Sequence, residues 1–150
     1  MSSLEKCTGF LTVRTGRSMK KALDINLTEN GVTSTQQHVL SVLGDEDGIS
    51  LSAIGRRIFL DKPAMTGLAD RMEKDGLVER KRSPEDRRVI QLLLTEKGRK
   101  VLKKCENIVN ETDEQLVSVL SGDELKSFRE MLVKIWKNAK SNTNNENGNE

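Results

Sequence analysis

The sequence predicts a mainly α-helical fold that carries one small β-hairpin, and three observations predict it. Apolar side chains recur at three-and-four spacing along most of the 150 residues, the period of a helix with one buried stripe. Two β-rich runs, residues 77–82 and 88–94, flank Ser83-Pro84-Glu85-Asp86, a tight-turn sequence. Glycine and proline then cut the remainder into six helical segments.

The first segment, residues 4–27, presents Leu4, Cys7, Phe10, Leu11, Met19, Ala22 and Leu23, with polar Arg14, Thr15 and Ser18 interrupting the stripe. After Gly31, Thr33 and Gln36 form a capping-box pattern that opens a second helix carrying Val39, Leu40, Val42 and Leu43. Ser50 caps a short third helix through Ile54, Ile58 and Phe59, stopping near Leu60 because Pro63 biases its predecessor away from helical angles. Asp61 caps a fourth helix. Pro63 lies in its first turn, where a missing N–H costs nothing, Met65, Leu68, Ala69 and Met72 form one side, and Gly76 supplies a left-handed stop. The hairpin follows directly. Thr95 caps a long fifth helix bearing Val101, Leu102, Cys105, Ile108, Val109, Leu116 and Leu120. Ser121 and Glu124 make a second capping box, opening a sixth helix with Leu125, Phe128, Leu132, Ile135, Trp136 and Ala139. The final stretch, residues 141–150, has no apolar side chain to offset the entropy of ordering and reads as a disordered tail.

Helix, helix, glycine-stopped helix, strand, strand is the order of a winged helix-turn-helix, here over residues 33–95. Charge adds a partner. Residues 52–91 hold ten basic against seven acidic side chains, whereas residues 111–130 hold two against six, so a net charge of only +2 hides a polarised chain. A polyanion is drawn to the central module and repelled from the C-terminal helices. A helix opening at Lys62 fits the major groove of duplex DNA, about 12 Å wide, with Lys62, Ala64, Met65, Thr66 and Arg71 as candidate contacts. Thr66 can bond a base edge or phosphate, and Ala64 or Met65 can touch a thymine methyl. Arg82, Arg87 and Arg88 on the projecting loop suit the narrow, electronegative minor groove.

These residues carry a resemblance. The runs Met72-Glu73-Lys74-Asp75-Gly76-Leu77-Val78-Glu79-Arg80, Arg80-Lys81-Arg82-Ser83-Pro84-Glu85-Asp86-Arg87-Arg88 and Leu94-Thr95-Glu96-Lys97-Gly98 resemble the recognition-helix end, wing and following helix start of the multiple antibiotic resistance regulator (MarR) family, a likeness that extends over residues 5–139. The resemblance implies a homodimeric repressor, less often an activator, on a palindromic operator. Within it Arg88 enters the minor groove and Asp86 holds the wing through an ion pair. It also implies a small aromatic or phenolic effector between the dimer helices and the DNA module, for which Arg14, Arg17 and His38 are candidate ligands.

The apolar stripes of residues 4–30 and 96–139 lie outside the module and exceed what a small domain buries alone. They read as dimerisation helices, and a two-fold dimer also places two recognition helices roughly 34 Å apart for one operator. Cys7, near a helix start beside Lys6, sits where a thiolate is favoured. Its position resembles the peroxide-sensing cysteine of the organic hydroperoxide resistance regulators, with Cys105 as a resolving partner, although that subgroup holds the oxidised thiol with tyrosines and this chain has none. Both cysteines fall on apolar stripes and read equally as core residues. A winged-helix module that binds proteins or shapes DNA without operator specificity also stays open.

Other classes are excluded by what the sequence lacks. The chain has no apolar run of spanning length, no phosphate-binding glycine loop and no nucleophile elbow. Its one histidine, His38, has no metal-ligand spacing around it and reads as a core or pocket-wall residue, so neither cofactor nor metal is expected. The N-terminal residues lack a secretory pattern, which points to a reducing, cytoplasmic setting.

Overall fold

A computed structural model describes residues 1–144. Six helices and one hairpin run in the expected order: α1 (Thr8–Leu27), α2 (Ser34–Asp45), α3 (Leu51–Ile58), α4 (Lys62–Lys74), β1 (Val78–Arg82), β2 (Ile90–Leu94), α5 (Glu96–Val117) and α6 (Gly122–Asn144). Short 3₁₀ turns at Leu4–Lys6 and Thr28–Asn30 bracket α1. Two compact units result, Met1–Thr112 and Asp113 onward.

In the first unit the caps explain where the helices start. Thr33 accepts from the Gln36 amide at 3.2 Å while the Gln36 side chain accepts from the Thr33 amide at 2.9 Å. Ser50 and Asp61 cap α3 and α4 from the side chain, accepting from the Ala53 and Ala64 amides at 3.2 and 2.8 Å. Gly76, at φ +73°, closes α4 with the Leu77 amide returning to the Met72 carbonyl. The hairpin is antiparallel, with Val78 opposite Leu94 and Arg82 opposite Ile90. Its β2 edge also receives the turn after α2, since the Leu92 amide donates to the Ile49 carbonyl and the Gly48 amide to the Leu92 carbonyl, both at 3.0 Å. The core lies where these elements meet, at Leu27, Leu40, Leu43, Ile54, Leu68, Met72, Val78 and Leu92. α5 starts against this core because Gly98 has no side chain: a Cβ there would stand 2.1 Å from the Leu77 carbonyl oxygen.

The structure differs from the sequence reading at several element ends, among them α5, which stops at Val117 short of Leu120, and β1, which starts at Val78 rather than Leu77. The first helix begins at Thr8, because Cys7 keeps an extended backbone (φ −84°, ψ 111°) as its N-cap. The third ends at Ile58, where Phe59 turns left-handed (φ 61°). Strand β2 starts at Ile90, Arg88 and Val89 being used in the wing turn. The tail expected from residue 141 instead continues α6 through Asn144, with the Ser141 hydroxyl donating to the Lys137 carbonyl at 3.0 Å; residues 145–150 lie outside the described residues.

The second unit is simpler. Ser121 and Glu124 close their capping box, the Ser121 amide donating to Glu124 Oε2 at 2.8 Å and the Glu124 amide to Ser121 Oγ at 3.3 Å. Arg129 pairs with Asp113 at 2.8 Å. Met131, Leu132, Ile135 and Trp136 stand exposed on α6.

Candidate nucleic-acid interface

The first turn of α4 projects from the surface because its buried stripe is phased to do so. Met65, Leu68, Ala69 and Met72 turn inward, leaving Lys62, Ala64, Thr66 and Arg71 exposed on the remaining faces. Met65 differs from the other candidate contacts: only 2% exposed, it packs its Cγ beside Gly55 of α3 at the base of the cleft described below. Thr66 donates its hydroxyl to the Lys62 carbonyl at 2.9 Å, which keeps its oxygen as an acceptor toward an incoming group.

The wing is built around two side chains. Ser83, buried, accepts from the Glu85 amide at 3.3 Å, and its own amide donates to the Val89 carbonyl at 2.9 Å. Asp86 then holds Arg88 in a fork: Nε donates to Oδ1 at 3.1 Å, Nη2 to Oδ2 at 3.0 Å, and the Arg88 amide to Oδ1 at 3.0 Å. The bonds from Arg88 hold the Asp86 carboxyl below its usual value, and the same pairing raises the guanidinium. The Arg88 side chain is still 91% exposed, so its orientation is set while its charge faces solvent. Arg82 donates to the Arg87 carbonyl at 2.8 Å, tying the two sides of the loop, and Arg87 is exposed.

Between α3, the start of α4 and the wing runs a cleft of about 690 Å³, into which Ser50, Ser52, Arg56, Lys62, Thr66 and Arg88 all open. Arg80 braces it. Its guanidinium bonds to Asp70 at 2.5 Å and to the Thr66 carbonyl at 3.2 Å, while its amide donates to Glu73 at 2.9 Å. Along the sequence Arg56 and Arg80 are two of the ten basic side chains of residues 52–91, with nothing in that count to mark either as part of a site. The signal for Arg80 was present in strand alternation, which places it on the face of Val78, toward α4.

The other candidates are not gathered in this way. Arg14 and Arg17 are exposed on α1, with the Arg14 guanidinium 5.7 Å from the Phe10 ring centroid. His38 is exposed rather than a core residue. Partial desolvation and the Lys20 ammonium push its imidazole below its ordinary pKa against the opposing pull of Asp24, and these two partners lie further along α1 than Arg14 and Arg17. Cys7 is exposed, whereas Cys105 is fully buried with burial pushing its thiol pKa up. Cys105 is therefore corrected as a resolving partner, since its sulfur belongs to the core of its own chain. Among the described residues no helix is long and apolar enough to cross a membrane, and no cluster of three metal-ligating side chains is found.

A family model described as the MarR family matches residues 32–90. SarZ, an HTH-type transcriptional regulator of Staphylococcus haemolyticus, is 36% identical over 89 residues, covering 59% of this chain and 60% of that protein. The organic hydroperoxide resistance transcriptional regulator of Bacillus subtilis is 31% identical over 132 residues, covering 88% of each chain. The transcriptional repressor CouR, solved bound to a 23-mer DNA duplex, aligns at TM-score 0.83 with 27% identity over 90% of this chain and 96% of its own.

Proposed function

The chain belongs to the MarR family of DNA-binding transcriptional regulators, and from that premise we propose that it is a homodimeric repressor reading a palindromic operator. The observation that carries the reading is Arg88, preset by Asp86 at one rim of the cleft while the exposed start of α4 forms the other. In it Lys62, Ala64, Thr66 and Arg71 meet the major groove and Arg82, Arg87 and Arg88 the minor groove, with Met65 packed behind them. Residues 33–95 are the reading module, and residues 4–30 and 96–139 join two copies. The exposed Phe10 and Val13 on α1 and Met131, Leu132, Ile135 and Trp136 on α6 support the second assignment, because such apolar surface is stabilised by covering. The relatives are transcriptional regulators rather than enzymes. A small aromatic or phenolic effector held by Arg14, Arg17 or His38 would relieve repression.

Fluorescence anisotropy on a duplex recovered by in vitro selection, against a random duplex over a salt series, tests the reading. An operator-specific dimer prefers the selected palindrome by about 10³ or more with a steep salt dependence. An interaction module prefers neither, and that result would overturn the proposal.

A second reading rests on the exposure of Cys7 and the name of the Bacillus subtilis relative. Here the Cys7 thiolate attacks a hydroperoxide, forming the S–O bond as the O–O bond breaks and an alcohol leaves, and the resulting sulfenic acid releases DNA. Peroxide-induced release that survives in Cys7→Ser would exclude it.

A further inference from the structure

Asp47 fastens the turn after α2 to a junction that lies 47 to 52 residues further along the chain. From the turn after α2, its Oδ1 accepts from the Gly48 amide at 3.1 Å and from the Leu94 amide, at the end of β2, at 2.9 Å. Its Oδ2 meets the Arg99 guanidinium at 2.5 Å in the first turn of α5. The junction it spans is short, for only Thr95 separates β2 from α5.

The start of α5 is also tied to the end of α4. Thr95 Oγ1 donates to the Gly76 carbonyl at 2.6 Å and accepts from the Gly98 amide at 3.0 Å, and Lys97 Nζ donates to the Asp75 carbonyl at 2.6 Å. Further along, Leu102 packs against Gly44 of α2 and Cys105 enters the core, so α5 is held at several points, and Asp47 with Arg99 ties its first turn to the end of β2 and the turn after α2.

We infer that Asp47, acting through Arg99, is a positioning residue for DNA reading: it sets the angle at which the winged module hangs from α5. The inference rests on the dimeric operator-binding reading above, in which α5 leads into the joining helices. Leverage makes the angle matter. The 13 residues of α4 form a rod of about 20 Å, so a tilt of about 10° displaces its far end by about 3.4 Å, one base-pair step. Each half of a dimer that loses the link therefore accepts half-sites one step nearer or further apart.

The test uses Asp47→Asn, whose carboxamide oxygen still accepts from the Gly48 and Leu94 amides but no longer pairs with a cation, and Arg99→Gln, which removes the pair from the other side. Anisotropy is measured on the selected duplex, on versions with one base pair added or removed between half-sites, and on a duplex holding a single half-site. The wild type should prefer the selected spacing. Each variant should lose about threefold of that preference, the ratio for one partly exposed ion pair, and the double variant no more than either. Half-site affinity should stay unchanged, which a general loss of folding would not allow. An unaltered spacing preference in both variants, or a parallel fall in half-site affinity, overturns the inference. A wild type without any preferred duplex fails by a different signature, refuting the operator reading beneath it.

Discussion

Removing either partner of the Asp86–Arg88 pair separates charge from orientation. Arg88 is solvent-facing and, among the described residues, its side-chain bonds go to Asp86, so Arg88→Ala should leave thermal stability unchanged. It should weaken binding to every duplex. One lost phosphate contact lowers the slope of log affinity against log salt by about 0.9, a factor of about eight between 1 M and 0.1 M salt. Asp86→Ala acts differently. The guanidinium keeps its charge but loses the fork that presets it, so ordering it on DNA costs a factor of roughly two to ten in affinity. The salt slope does not fall, because no cation has been removed. Anisotropy titrations from 50 to 300 mM salt (about a sixfold span) read both quantities. Tighter binding by Asp86→Ala than by the wild type would refute the reasoning, for it would mean that the carboxylate neutralises Arg88 rather than aiming it.

Three further outcomes follow from the geometry. Gly98→Ala forces a Cβ to 2.1 Å from the Leu77 carbonyl, so calorimetry should show a loss on the order of 2–4 kcal/mol. Met65→Ala should cost about 2–5 kcal/mol of stability without altering base preference once folded, whereas Thr66→Ala should leave stability near wild type and relax selection at one base pair. For His38 the folded-state pKa is lowered, so the unfolded chain binds its proton first as pH falls. Stability should therefore decline as pH drops through about 6.5, and His38→Gln should flatten the denaturant-midpoint profile there; an unchanged profile would contradict the assignment.

Much of the fold, and the local geometry of the candidate site, was legible in order along the chain because it is encoded locally. Thr33 and Gln36, Ser50, Asp61 and the Ser121–Glu124 box each act within three residues, and so does the Asp86–Arg88 fork at a separation of two. Met65 is close in sequence to Lys62 and Thr66, but its helical phase aligns it with Leu68 and Met72. Cys105 shows the limit from the other direction. Its stripe position could not distinguish a surface that meets a second chain from one filled by its own.

By itself, the sequence determined the helix order, the caps, the hairpin and the concentration of cations in the central module, since hydrophobic period, capping chemistry and composition act over a few residues. Tertiary structure alone decided that Asp47 reaches Leu94 and Arg99 across 47 and 52 residues, and that the Arg80 guanidinium finds Asp70 and the Thr66 carbonyl. Those partners are chosen by where packed elements bring side chains together in space, and no spacing along the chain carries that information.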